Sequence, residues 1–191
     1  MPRSPSKRFV PKPTCTLDIV KDRDAYERFR RLLYDLFALD RNLMTMLDDI
    51  AKHFGITRPQ HTIIMTVSHL GMKSDVSVQD VADYMQVANP FVAAQSRVLV
   101  MKGLLTKEDD HNDRRRTLLL LTRAGERYVE QTTQVIQELN NIVFQPLTPS
   151  NFRMVSDVIH AFAATSERAL IKARELSLSA SPIRRRPRRR G

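Results

Sequence analysis

Residues 77–125, "SVQDVADYMQVANPFVAAQSRVLVMKGLLTKEDDHNDRRRTLLLLTRAG", hold two short helical patterns, a hairpin pattern with a charged tip and the start of another helix, with almost no slack between them. No other stretch limits the fold as tightly. Val78, Val81, Ala82 and Met85 recur at three- and four-residue spacing, the buried stripe of a first helix, with Ser77 as its N-cap. Gln86 and Val87 make the turn. Asn89 caps the second helix and Pro90 suits its first turn, where a missing N–H costs nothing. Val92, Ser96 or Leu99, and Val100 then face inward, and Gly103 ends the helix in a left-handed conformation. Residues 104–107 read as a strand, 108–116 as an exposed loop and 117–121 as the returning strand, after which Thr122 caps a helix starting near Arg123. That order is a winged helix-turn-helix, so the expected fold is mainly α with a small β-hairpin wing.

The side chains left pointing outward suggest double-stranded DNA as the partner. A helix in the major groove reads base edges with its N-terminal residues, here Asn89, Pro90, Phe91, Ala93, Ala94 and Gln95. Arg114, Arg115 and Arg116 at the wing tip are placed to meet phosphates or to enter a narrow minor groove. Asp113 is spaced to hold the Arg115 guanidinium in a fixed fork, orienting it without touching DNA. A plainer reading stands beside this one: an arginine run in a loop is usually a solvated face, and short helical pairs occur in many folds.

The pattern Asp110-x-x-Asp113-x-Arg115, followed by Leu121-Thr122-x-x-Gly125 and preceded by Leu99-x-x-x-Gly103-Leu104, resembles the MarR family of transcription regulators. Coarser similarity runs from about Tyr26 to Ala173. The resemblance implies an obligate homodimer on a palindromic operator, usually a repressor, often released by a small ligand. It makes Arg115 the wing arginine and Asp113 its partner. One departure bears on base readout: Ala93, Ala94 and Gln95 stand where the family commonly has a basic residue in mid-helix. The family's ligand pocket lies between the first two helices and the DNA-binding lobe, often fitted to aromatic carboxylates. Tyr34, Phe37, Arg41, His53 and His61 are the candidates to line it, with Arg41 either pairing an anion or snorkelling to solvent.

Long helical patterns flank the winged segment. Between Asp24 and Phe54, Phe29, Leu32, Leu33, Leu36, Leu43, Leu47, Ile50 and Phe54 form one stripe, and a second set including Tyr34, Phe37 and Leu39 lies partly off it. A helix apolar over so much of its circumference has to be covered on two sides. Thr57 caps the next helix, with Pro59 in its first turn and Gly71 at its end. A helix from Arg123 to Val143 and a last one from about Pro149 to Leu176, capped by Thr148, complete the pattern. The long terminal helices are expected to form a dimerisation layer about a two-fold axis.

The formal charge of +10 belongs to the ends. Residues 1–12 and 184–191 carry ten basic residues and no acid, and without them 21 basic residues face 21 acids. Residues 1–22 therefore read as a basic, proline-rich disordered arm and 177–191 as an arginine-rich disordered tail. Between them, 23–176 form a single domain whose DNA-binding lobe spans about 57–122. The tails either solubilise the protein or add salt-sensitive, non-specific affinity for DNA. In the second case a rival reading opens, a sequence-tolerant coating or architectural protein. A third, a module whose winged helix contacts another protein, fits the arginine wing less well.

The single cysteine, Cys15, precludes an intrachain disulfide and lies ahead of the first helix, as an ordinary thiol or, by analogy with relatives, an oxidant sensor. Five glycines supply no phosphate loop, the five histidines lack a tight ligand spacing, and no serine sits in a nucleophile elbow. The expectation is no enzyme, no metal and no cofactor, in a cytoplasmic protein without a membrane span.

Overall fold

The computed structural model describes residues 12–110, 113 and 116–179, with side chains to Ser177. Among the described residues a short 3-10 turn (Asp18–Val20) precedes six α-helices and one hairpin, in the order α1 (Arg23–His53), α2 (Arg58–Gly71), α3 (Val78–Met85), α4 (Asn89–Met101), β1 (Leu105–Asp109), β2 (Thr117–Leu121), α5 (Arg123–Val143) and α6 (Pro149–Ser179). The described residues contain no helix long and apolar enough to cross a membrane. Two compact units are separated after Thr133, within α5.

Local chemistry sets the helix boundaries. Asp22 accepts the Ala25 N–H at 2.7 Å at the start of α1. Thr57 and Gln60 form a reciprocal capping box at α2, and Ser77 and Asp80 another at α3. Thr148 and Asn151 exchange the same pair of bonds at α6. Gly103 (φ +69°) closes α4 in the left-handed region, while α3 ends on Gln86 (φ 54°), a conformation that side chains resist.

Three expectations are corrected. Asn89 does not cap α4: Ala88 occupies the cap position, and the Asn89 amide turns aside to Gln79. Val100 lies on the exposed side of α4, leaving Val92, Ser96 and Leu99 as its buried face. The first strand extends to Asp109, since Lys107, Glu108 and Asp109 are drawn into register opposite Leu119, Leu118 and Thr117. Pairing overrides the weak strand preference of these residues.

The core of the first unit lies between α2, α3, α4 and the hairpin. Ile63, Ile64, Val81, Val92, Leu99, Leu105 and Leu119 are essentially sealed, joined by Ile56, Val67 and Tyr128. Val76 brings a third segment to the hairpin, its carbonyl accepting the Leu119 N–H at 2.8 Å. The family-like motif explains itself here. Thr122 Oγ1 donates to the Gly103 carbonyl at 2.6 Å and accepts the Gly125 N–H at 3.0 Å, while the Thr122 N–H bonds the Leu104 carbonyl. A Cβ on Gly125 would overlap the Leu104 carbonyl oxygen, so no other residue fits.

Much of α1 is uncovered within its own unit. Only Ile50 and Ala51 are buried, whereas Leu32, Tyr34, Phe37 and Leu39 are exposed. In the second unit, α6 has no buried residue among those described; Phe152, Met154, Val158, Ile159, Phe162, Leu170, Ile171 and Leu176 all lie open.

Candidate nucleic-acid interface

The outward face of α4 is set by what its inward face must bury. With Val92, Ser96 and Leu99 in the core, the helical period turns Pro90, Phe91, Ala94, Arg97 and Met101 outward, and all five are exposed. Ala93 is half-buried against the core. Gln95 is half-buried as well, its Oε1 accepting from Gln60 Nε2 on α2 at 3.1 Å. Asn89 Nδ2 donates to Gln79 Oε1 at 2.6 Å, and Gln79 Nε2 donates to Asp83 Oδ1 at 2.6 Å, so a chain of amides ties α4 to α3. Of the six expected base readers, Pro90, Phe91 and Ala94 point freely outward, while Asn89, Ala93 and Gln95 are engaged inside the lobe.

Two cations that the sequence reading passed over stand beside these residues. Arg97 is exposed and bends its Nε toward the Ala93 carbonyl, at 3.3 Å. Its signal was present: it lies on the same helical face as Pro90 and Ala94. Lys107, on β1, is half-buried in a cleft of about 260 Å³ that it shares with Gln79, Asn89, Arg116 and Thr117. Burial first, and then the nearby Arg97 charge, lowers the Lys107 ammonium from its ordinary value. Two positive groups held together favour an anion between or above them.

Arg116 differs from its expected place at a free wing tip. Its guanidinium reaches Asp80 Oδ2 at 3.0 Å and Asp110 Oδ2 at 3.2 Å, clamping the root of the wing to the start of α3. Burial alone would raise the Asp80 carboxyl, but hydrogen bonds from the Ser77 side chain and backbone and from Arg116 hold it below its usual range. The Asp110 N–H bonds the Arg116 carbonyl, and the Arg116 N–H bonds the Asp113 carbonyl at 2.8 Å, closing the described part of the loop. Asp113 is exposed. Arg114 and Arg115 lie outside the described residues, and with them the expected pairing of Asp113 to Arg115.

The expected ligand pocket does not assemble within this chain. Tyr34, Phe37, Arg41 and His53 all sit on α1, and at about 1.5 Å of rise per residue Tyr34 and His53 are roughly 28 Å apart along the axis. Tyr34 and Phe37 form an exposed edge-to-face pair, with the Arg30 guanidinium over the Tyr34 ring. Arg41 and His53 are exposed too. His61 is a core residue, 2% exposed, its Nδ1 2.5 Å from the Tyr128 hydroxyl. Burial lowers the imidazole from its ordinary value and raises the phenol, so the neutral ring accepts the Tyr128 O–H. The lobe does have a cleft of mixed polarity, of about 350 Å³, between Val67 and Met72 on the α2 side and residues 118–121 of β2, with Asp75 and Glu126 also lining it. None of the five expected residues lines it.

The MarR family model matches residues 47–117. No curated relative matches the chain by sequence alone. Among solved structures, the Staphylococcus aureus MepR–DNA complex is 24% identical with a TM-score of 0.58, the alignment covering 69% of this chain and 96% of MepR. MepR in its DNA-binding conformation gives 24% identity and a TM-score of 0.62 over 70% of this chain and 98% of the other. The MarR regulator of Oenococcus oeni gives 17% identity and 0.63 over 70% and 98%. Residues 47–117 thus match the MarR family model, and the fold around them is similar to the winged helix of these solved regulators.

Proposed function

We propose that this chain is a homodimeric, DNA-binding transcription regulator that acts as a repressor on a pseudo-palindromic operator and is released by a small ligand. The observation that carries the reading is the outward row Pro90, Phe91, Ala94 and Arg97 on α4, flanked by Lys107 at the root of the wing. In this account α4 enters the major groove, Arg97 and Lys107 meet phosphates, and Arg115, oriented by Asp113, extends the contact from the wing. Arg116 takes a supporting role, holding the wing against α3. The open apolar faces of α6 and of the first half of α1 support self-association, because monomeric proteins rarely leave so much contiguous apolar surface bare. Two-fold symmetry would set the half-sites about one helical turn apart. Ligand binding would change the distance between the two recognition helices, so that both no longer fit successive grooves.

Binding to the gene's own upstream DNA and to a scrambled duplex, followed from low to physiological salt, tests this. Base and shape readout predicts a preference that survives as salt rises. Equal binding that fades on both duplexes favours the second reading, a sequence-tolerant coating protein, for which the concentration of the +10 charge in the two ends speaks. Trimming residues 1–12 and 178–191 separates the two further: a regulator keeps its preference, and a coating protein loses most of its affinity.

A further inference from the structure

The first two turns of α4 are apolar where a groove-reading helix usually offers hydrogen-bonding groups. Pro90, Phe91 (39% exposed) and Ala94 form the accessible surface there. The polar side chains of the same turns are half-buried or buried and each makes a bond inside the lobe: an Asn89 amide N–H goes to Gln79, Gln95 Oε1 receives that of Gln60, and buried Ser96 donates to the Val92 carbonyl at 2.5 Å. The exposed residues of these turns thus offer a pyrrolidine ring, a phenyl ring and a methyl group. Of the features a base pair shows in the major groove, the C5 methyl of thymine is the one bulky apolar group and complements such a surface best; the hydrogen-bonding edges leave it unmatched.

We propose that Phe91 and Ala94 read thymine methyl groups, so that this protein chooses its half-sites by apolar contact with thymine and not by hydrogen bonds from α4. The proposal rests on the reading of α4 as the groove helix. Arg97, one further turn along the same face, then anchors the helix without deciding which base lies beneath Phe91.

Uracil replacement tests it, because it removes the methyl and leaves base pairing intact. A preferred duplex is first selected from a random-sequence pool with the full chain, and each of its thymines is then replaced singly by uracil. The expected result is a loss of about fourfold per methyl read, equivalent to the ~0.8 kcal/mol of one buried carbon. It should be confined to one or two positions in each half-site. In Phe91→Ala, the thymine duplex binds more weakly and the thymine-to-uracil difference at its position vanishes, the coupling expected of a direct contact. Phe91 lies outside the buried core, circular dichroism of the variant checks that it is folded, and the uracil scan on the unaltered protein needs no variant. If the selected duplex is clearly preferred over random DNA yet tolerates uracil at every position, the thymine assignment is wrong and the groove reading stands. If no duplex is preferred, the groove reading itself fails and the thymine assignment falls with it.

Discussion

Ile64 and Ile159 are the same side chain on two helices, and the chain treats them in opposite ways. Ile64, on α2, is completely buried, whereas Ile159, on α6, is 48% exposed and surrounded along its helix by other open apolar residues. Both helices show apolar residues at helical spacing. The difference is that α2 finds its cover within one winged lobe, while α6, taken by itself, has none. Hydrophobic periodicity therefore identifies a face that must be buried but is silent on which molecule buries it.

The strongest way to break this comparison is to truncate the sealed residue. Ile64→Ala should cost about 2–5 kcal/mol of unfolding free energy, and a urea titration should show the same loss at every protein concentration. An effect below 1 kcal/mol would mean that the lobe's core is looser than its burial implies. On α6, Phe162→Glu sharpens the contrast. It should weaken self-association by about tenfold or more in sedimentation equilibrium and leave far-ultraviolet dichroism of the monomer unchanged. Unaltered association would remove this face of α6 from the proposed dimer.

The smallest expected effect concerns pH. Burial holds the His61 imidazole below its ordinary value, so the unfolded chain binds a proton more readily than the folded one. The stability contribution of His61 is thus fully present above about pH 6.5 and is lost as pH falls below that value toward the lowered folded-state pKa. His61→Gln, which keeps an acceptor for the Tyr128 hydroxyl, should flatten that part of the stability profile. An unchanged slope between pH 7 and pH 5 would assign it to other groups.

Much of this architecture is written in short-range chemistry. Thr57 with Gln60 and Ser77 with Asp80 announce helix starts because both members of each capping box lie within one turn of sequence, and Gly103 announces a helix end because its conformation is local. Partners distant in sequence are harder to foresee. Gln95 looks like a base reader until Gln60, 35 positions away, takes it, and Arg116 looks like a wing-tip cation until Asp80 does. His61 looked equally suited to a ligand cleft; the Tyr128 hydroxyl that claims it lies 67 positions on. Arg97 is legible from its helical face, which it shares with Pro90 and Ala94. Spacing reveals which way a side chain leaves its helix, and only the fold reveals what it meets.

The contact of Gly125 with the Leu104 carbonyl has a mechanical consequence. Main chain rests on main chain there, and Thr122 bolts the same two segments together from the other side. Flexible side chains absorb small movements by changing rotamer, and between the Gly125 Cα and the Leu104 carbonyl there is none, while the Thr122 side chain beside them is held by two hydrogen bonds. It behaves as a bearing without play: when the first turn of α5 rotates, the root of the hairpin turns with it. A turn of the start of α5 is therefore passed directly to the base of the hairpin, through one residue that has no side chain to yield.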